Sequence, residues 1–459
     1  MSHKRTTIPV RYDATGHNQA PAPLADATGR QATIGLDLMT REELDSFGTE
    51  LDAVRRRTLE SLGQADADYI RRVVRLQQWS EILGRIGIFT PFFWPTFVAG
   101  IVLLGLSKIL ENMEIGHNVM HGQYDWMNDP LIDGKRYEWD NVAPAQDWKH
   151  GHNYLHHTYT NIHGMDKDIG YGLLRIDDAQ PWYPSHRANL PAAFLLMLFF
   201  EWGVMYHGLE LGDYLKGEMS KEEFPARKKR ALAKTRRQVF KDYVAFPVLA
   251  LALVPMVGWW APLAVLGATF TANIIRNIWT FLIMLCGHFP AEVQSFDEDE
   301  VKNESRGQWY LRQLLGSANI SGSRPFHVLS GNLSHQIEHH LFPDIPARRY
   351  PEVAREIRDI CERHGLPYNS GRMGRQLLSV SSPRTDAGRR TRTWWARAPR
   401  ARRCAARSVR RFAPHAIVRN TGPHELAPPR DRHRRGQHAG RERRRSPRPD
   451  PSDRGLTTN

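Results

Sequence analysis

Long uncharged segments constrain the folding of this 459-residue chain more than any other feature. The segment 86–107 has 22 residues without a charged side chain, and the segment 243–275 has 33. After Arg276, a further uncharged segment covers 277–291. Because about 20 consecutive apolar residues in a helix cross a bilayer, we expect an all-α, helical integral membrane protein.

The number of crossings is left open by two of the apolar segments. The first contains Pro91 and Pro95, so it forms either one crossing or a shallow hairpin. The second and third suit two crossings with a turn near Trp259. The segment 189–206 is short and carries Glu201, which predicts a position in the membrane interface.

Composition divides the chain into four parts. Residues 1–40 are rich in Pro, Gly and Ala and are expected to be flexible. Residues 41–83 predict cytoplasmic amphipathic helices, which begin after a capping-box pattern at Thr40. Residues 84–380 hold the apolar segments and are expected to form the membrane domain, and residues 381–459 form an arginine- and proline-rich tail.

The tail accounts for the basic character of the chain. It holds 22 arginines, six acidic residues and no lysine. The net positive charge of the tail is therefore larger than the net charge of the whole chain, which is +14. The remainder therefore has a small negative charge, and we expect no nucleic-acid partner. The tail composition predicts disorder. It is either a polybasic arm or a GC-rich gene translated out of frame, and the absence of lysine favours the second interpretation.

Three histidine clusters share one spacing. Each contains two histidines four residues apart, and the pairs are His117/His121, His152/His156 and His335/His339. Residues four apart share one face of a helix and lie within reach of one metal ion. No cluster has a cysteine partner, which argues against a closed structural zinc site. With His157 and His340, eight histidines are enough to hold two metal ions and leave positions open for chemistry.

The distribution of charge predicts one side of the membrane for all three clusters. The charged segment 122–151 cannot cross a bilayer, and two crossings between 243 and 291 return the chain to the same side. Ten lysines and arginines from His207 through Lys241 predict that this side is cytoplasmic. Because transporter sites lie within spans near the midplane, clusters beyond the spans favour catalysis over a non-catalytic metal-binding or transport protein.

Three motifs resemble those of the integral-membrane fatty-acid desaturases. They are Gly116-His-Asn-Val-Met-His121, His152-Asn-Tyr-Leu-His-His-Thr-Tyr-Thr-Asn161 and Gly331-Asn-Leu-Ser-His-Gln-Ile-Glu-His-His-Leu-Phe-Pro343. The chain is most similar to bacterial acyl-CoA desaturases of the actinobacterial type. The resemblance implies a non-haem di-iron centre in a cytoplasmic helical cap, with O2 as co-substrate. It also implies a cis double bond in a long-chain acyl-CoA or acyl lipid, with Δ9 favoured over front-end positions.

The resemblance also implies the ligands and the partners. The ligands are His117, His121, His152, His156, His157, His339 and His340. In the third cluster, helical spacing favours His335 and the family pattern favours Gln336, and both remain candidates. His288 is a further candidate because it follows the last apolar segment, and Asp166 and Asp168 are candidates to orient ligating histidines.

The electron donor is expected to be a separate protein. The chain shows neither a GxGxxG nucleotide loop after a strand nor a His-Pro-Gly-Gly haem motif, so a reductase or ferredoxin is implied. The basic segment 215–241 either docks an acidic partner or coenzyme A phosphates, or only sets topology. A membrane hydroxylase or ketolase, which uses the same type of histidine cluster, is the alternative activity.

Overall fold

The computed structural model describes residues 32–177 and 179–381. Predictions for the tail and for the first 31 residues lie outside these described residues. The helices in chain order are α1 (Arg41–Glu60), α2 (Gln64–Ile88), α3 (Trp94–Met120), α4 (145–159), α5 (Asn189–Leu198), α6 (Phe200–Gly208), α7 (Leu211–Lys216), α8 (Glu223–Val257), α9 (Trp260–His288), α10 (Glu298–Val301), α11 (Arg306–Leu315), α12 (Arg324–Leu329), α13 (Gln336–Leu341), α14 (Tyr350–Arg363) and α15 (Met373–Ser381). The predicted all-α fold is thereby confirmed.

The remaining regular structure is short. Four 3₁₀ turns lie at Asp125–Met127, Ile169–Gly172, Pro184–Ala188 and Ala347–Arg349. Two three-residue strands, β1 (Asn319–Ser321) and β2 (Ser370–Arg372), pair in parallel. This pairing brings the segment after α14 back beside the segment that precedes the third histidine cluster.

Helices α2 and α3 pack closely as a hairpin. The turn between them lies within the first apolar segment, at its prolines. The chain turns between Ile88 and Trp94, around Pro91. Gly87 and Gly100 face each other so closely that a Cβ on Gly100 would lie 2.6 Å from the carbonyl carbon of Gly87. Small residues of this kind let membrane helices approach closely. The segment 86–107 therefore ends α2 and begins α3, and α3 alone is long and apolar enough to cross a membrane.

Contacts of α1 show that the hairpin begins and ends on the same side of the membrane as the histidines. Asp52 of α1 accepts hydrogen bonds from Arg306 (3.1 Å) and Tyr310 of α11 (2.5 Å). Helix α11 in turn contacts the histidines, because Gln313 donates to the carbonyl of His157 (3.1 Å). Since α1 and the histidines share one side, the two arms of the hairpin must run in opposite directions between them.

Helices α8 and α9 are the other long apolar helices. Together with α3, they are long and apolar enough to cross a membrane. They are joined at Gly258, whose φ of 88° is one that side chains rarely allow, which agrees with a predicted turn near Trp259. Helix α8 begins at Glu223, so residues 223–241 of the basic segment form the first half of the same helix.

Helices α5 and α6 belong to a pair bent by 98° between Leu198 and Phe200. Neither helix alone is long enough to cross a bilayer. Both present large apolar side chains outward, including Phe194 and Tyr206. The interfacial position predicted for 189–206 remains a prediction, and this geometry agrees with it.

Buried charges between the membrane helices are paired. Lys108 of α3 lies 3.0 Å from Asp242 of α8 and 3.1 Å from Asp140, which precedes α4. Arg85 of α2 lies 3.2 Å from the same Asp242. Because an unpaired charge in a bilayer is costly, this network fixes the relative positions of the hairpin and α8.

Candidate metal centre

The first two histidine clusters lie on helices with widened turns. Residues Glu111–His117 in α3 and His150–His156 in α4 are wound as π-helix. Such turns insert an extra residue per turn, which changes the direction of the side chains that follow, and they are frequent at functional sites. The third cluster begins α13 and lies between these two helices in the fold.

The histidines gather into two groups. The ligand nitrogens of the first group lie within 4.8 Å of one another, as do those of the second. The first group is His117, His121, His152 and His339, and the second is His156, His288 and His340. The ring of His157 lies between the groups, with its centroid 4.7 Å from that of His121 and 4.6 Å from that of His340.

Hydrogen bonds on the outer ring nitrogens determine what faces inward. His156 Nδ1 lies 3.0 Å from Asp166, and His288 Nδ1 lies 2.9 Å from the carbonyl of Met284. Both partners are acceptors, so in the neutral rings each Nδ1 carries the proton and each Nε2 presents a lone pair. These two Nε2 atoms are nevertheless only 3.0 Å apart. Two lone pairs at this distance repel, and a cation between them removes the repulsion.

Buried ligand atoms without hydrogen-bond partners support the same conclusion. The Nε2 atoms of His121 and His339, both ring nitrogens of His157, and Gln336 Oε1 are buried without a partner. Leaving so many polar atoms unsatisfied is unfavourable, whereas metal coordination would satisfy them. The donor set is nitrogen and oxygen without thiolate, which suits iron. The residues therefore fit two metal ions.

Other polar side chains orient the remaining ligands. His152 Nδ1 lies 3.5 Å from Asp168, and His117 Nδ1 lies 3.2 Å from Asn118 Oδ1. His339 Nδ1 lies 3.2 Å from the hydroxyl of Tyr350, and His340 Nδ1 lies 3.1 Å from Gln313 Oε1. Such contacts fix the tautomer and the orientation of a metal ligand.

Burial keeps most of these imidazoles in the neutral form that binds metal. Burial, reinforced by neighbouring imidazoles, lowers the pKa of His157, His339 and His340 well below the usual value. Burial alone would raise the pKa of Asp168, but His156 and hydrogen bonds from His152 outweigh it, so that this pKa is lowered. Asp168 is therefore an ionised carboxylate beside the first group.

The structure places the two candidates of the third cluster in different surroundings. Helix α13 begins at Gln336, and His335 before it has the non-helical angles φ −100° and ψ 59°. The four-residue spacing therefore does not bring His335 to the face that His339 occupies. Its ring lies 4.7 Å from that of His327, and it is absent from both groups. Gln336 Nε2 instead lies 3.1 Å from His288 Nε2, in the second group.

A cavity that is partly open to solvent adjoins the first group, and its empty space, including the solvent at its mouth, is about 740 Å³. His117 and His152 form part of its wall, and the indole of Trp148 stacks on His152 at 4.5 Å. Further along, its walls are the facing sides of α3, α6 and α9. Ligands bind in concave sites of this kind, and the contact of the cavity with the histidines lets a bound ligand reach a metal.

Sequence reasoning did not identify Gln313, Tyr350 or the cavity residues of α9 as parts of the site. Gln313 and Tyr350 lie on amphipathic helices outside the histidine motifs, where the sequence gives no signal of a contact with a ligand. The cavity residues of α9 lie in an uncharged segment interrupted by Arg276, and that interruption was the one available signal.

Comparisons with known proteins point in one direction. Residues 92–372 match the sequence profile of the family described as Fatty acid desaturase. The chain is 45% identical over 340 residues to the NADPH-dependent stearoyl-CoA 9-desaturase of Mycobacterium tuberculosis, covering 72% of this chain and 77% of that protein. It is 28% identical over 290 residues to the sn-1 linoleoyl-lipid 6-desaturase of Synechocystis sp., covering 61% of this chain and 77% of that protein.

Proposed function

The chain belongs to the fatty acid desaturase family, and we propose that it introduces a cis Δ9 double bond into a long-chain acyl-CoA with O2 as oxidant. The observation that carries this proposal is the cavity whose wall includes His117 and His152 of the first histidine group. The acyl-CoA substrate and the Δ9 position are favoured because the mycobacterial relative is a stearoyl-CoA 9-desaturase. The lipid 6-desaturase is a more distant relative.

The proposed cofactor is a pair of non-haem iron ions. His117, His121, His152 and His339 would hold one ion, and His156, His288, His340 and Gln336 the other, with His157 between them. Bound iron activates O2 to the strong oxidant that an unactivated methylene requires. The reaction removes two hydrogens from neighbouring carbons, and O2 takes these, two external electrons and two protons to form two water molecules.

The protein's own contribution is to orient the chain and exclude water. Trp148 holds the ring plane of His152 by stacking, and Asp168 holds its Nδ1 proton. The apolar side chains of Phe200, Val204 and Met284 line the cavity and suit methylenes. Holding the reacting carbons at a fixed distance from the first group determines which bond forms, because proximity decides reactivity in an oriented complex.

The proposed electron donor is a separate reductase or ferredoxin. The mycobacterial relative is NADPH-dependent by name, which favours an NADPH-linked reductase as the source. We further propose that the protein lies in the cell membrane with the histidines facing the cytoplasm. The hairpin that returns α1 to the histidine side and the basic first half of α8 support this orientation.

The direct test is the fatty-acid profile of a desaturase-deficient host expressing this chain with a reductase and ferredoxin. A new Δ9 monounsaturated acid is expected, and it should be absent with His339→Ala and His340→Ala. Glu218→Gln, an exposed substitution, is the matched control and should keep full activity. A product carrying an added oxygen would contradict desaturation, and a double bond at another position would contradict Δ9.

A further inference from the structure

The cavity runs between α6 and α9 from the histidines to a second, polar end. On α6, His207 lies 2.9 Å from Asp168 beside the first histidine group, and Glu201 lies 2.7 Å from Arg276 at the other end. The same two helices therefore line the cavity along its length. On α9, the lining residues are Arg276, Asn277, Thr280 and Met284, which recur at helical spacing on one face.

Helical geometry gives the length of this cavity. Six residues separate Glu201 from His207, which corresponds to about 9 Å at 1.5 Å per residue. Eight residues separate Arg276 from Met284, which corresponds to about 12 Å. The two walls thus agree on a length of roughly 10 Å between the histidine end and the polar end.

The polar end is closed. The side chains of Arg276 and Glu201 are 1% and 4% exposed, and their neighbours Asn112 and Asn277 are also buried. By contrast, Gly151 and Gly208 on the histidine side are partly exposed. A substrate with a large polar head group can therefore enter only from the histidine side, with its acyl tail directed toward Arg276.

The polar end is also fully satisfied and offers nothing to an anion. Arg276 Nε donates to Asn277 (3.0 Å), its Nη1 donates to the carbonyl of Asp140 (3.2 Å), and its Nη2 lies 2.7 Å from Glu201. Every nitrogen of the guanidinium thus has a protein partner. A carboxylate or phosphate would have to displace one of them, so this end is unsuited to the head group.

We propose that the Arg276–Glu201 ion pair is the floor of the acyl cavity and limits how many carbons extend beyond the reacting bond. This inference rests on the proposed function. An extended alkyl chain advances roughly 1.3 Å per carbon, given C–C bonds of about 1.5 Å, so a 10 Å cavity holds about eight carbons. A Δ9 bond in an 18-carbon chain leaves eight carbons beyond it, whereas a Δ6 bond would leave eleven.

The floor is rigid because Asn277, which accepts a hydrogen bond from Arg276, is itself held by hydrogen bonds at the bend between α5 and α6. Its Nδ2 donates to the carbonyl of Leu198 (2.9 Å), and its Oδ1 accepts from the backbone N–H of Glu201 (3.4 Å). Moving Arg276 aside would break both its ion pair and its bond to Asn277. An apolar methyl group offers no replacement for those bonds, so a longer tail is rejected instead of accommodated.

The test is a competition among acyl-CoA substrates of 16, 18 and 20 carbons, using the full-length enzyme in membranes with its electron donors. Glu201→Asp keeps the charge but shortens the side chain by one methylene, which deepens the cavity. The ratio of 20-carbon to 18-carbon product should therefore rise about tenfold, the usual effect of one methylene on the specificity of an apolar pocket. Thr280→Leu fills the middle of the cavity and should lower the 18:16 ratio by a similar factor. Tyr206→Phe, on the exposed face of α6, is the control and should leave both ratios unchanged.

The outcomes separate the two proposals. Unchanged ratios in active Glu201→Asp and Thr280→Leu enzymes would overturn the floor, while wild-type desaturation would leave the proposed function standing. No desaturation of any acyl-CoA by the iron-loaded wild type would overturn the function itself. If Glu201→Asp fails to accumulate, Asn112→Ser replaces it, because it lowers the same floor and leaves the ion pair intact; it should also raise the 20:18 ratio.

Discussion

The contact between Gly87 and Gly100 makes a strong prediction about the first membrane hairpin. In Gly100→Ala, the new Cβ would lie 2.6 Å from the carbonyl carbon of Gly87 and from the backbone nitrogen of Ile88. Ordinary contacts begin at 3.4 Å, so the helices must separate by about 0.8 Å. Both obstacles are backbone atoms that cannot rotate away. Overpacking of this kind costs about 1–3 kcal/mol.

The assay is thermal unfolding of the purified protein in detergent, followed by circular dichroism. Because the shift per kcal/mol falls with chain size to roughly 1–2 °C here, Gly100→Ala should unfold about 1–5 °C below the wild type. Gly267→Ala in α9 is the matched control, because its Cβ meets nothing within 4 Å. That variant should be neutral or stabilised by up to about 1 kcal/mol, since alanine is the better helix former.

The effect should extend to activity, because α3 carries His117 and part of the cavity wall. Gly100→Ala should therefore lose desaturation at temperatures where Gly267→Ala retains it. Equal unfolding temperatures for the two variants would refute the close packing of α2 against α3.

Three further predictions concern the ligands and pH. His339→Ala and His340→Ala each remove a ligand from a different group, so iron determination should find about half the wild-type iron in each. Gln336→Ala should lower iron content and His335→Ala should not; the reverse would restore His335 as the ligand. Burial would raise the pKa of Asp66, but hydrogen bonds from Arg349 and the N–H of Gly63 outweigh it and lower this pKa. Its stabilising effect is thus present above its unfolded pKa of about 4 and lost as the pH falls through the lower folded value. Asp66→Asn should destabilise the protein by about 1–3 kcal/mol at pH 7, and this difference should shrink in unfolding scans below pH 4.

The sequence predicted the all-α membrane fold and the family, and both are confirmed. These predictions succeeded because they depend on local signals, namely uncharged segments and the four-residue spacing of histidines on one helix. Pro91 also marked the break in the first apolar segment correctly. The sequence did not reveal that α2, which contains the charged Arg85, forms one arm of this hairpin. The ion pair that makes this possible is with Asp242, which lies 157 residues away in the chain.

The choice between His335 and Gln336 depended on where a helix begins. Gly331 and Asn332 have positive φ angles of 69° and 54°, and the turn they form delays the start of α13 to Gln336. Spacing alone assumes a helix through both histidines and so favoured His335. The orienting contacts of Gln313 and Tyr350 were equally inaccessible, since they depend on the packing of α11 and α14 against the histidines.

The docking of α1 on α11 has a consequence for biosynthesis. Asp52 and Arg306 are 254 residues apart, so α1 is made long before its partner exists. The membrane hairpin can insert meanwhile, but α1 must remain undocked until α11 has been synthesised. The same order applies to the proposed iron ligands. Three members of the first group precede residue 153, while the second group lacks His288 and His340 until late. The proposed iron sites are therefore complete only after residue 340 has been made.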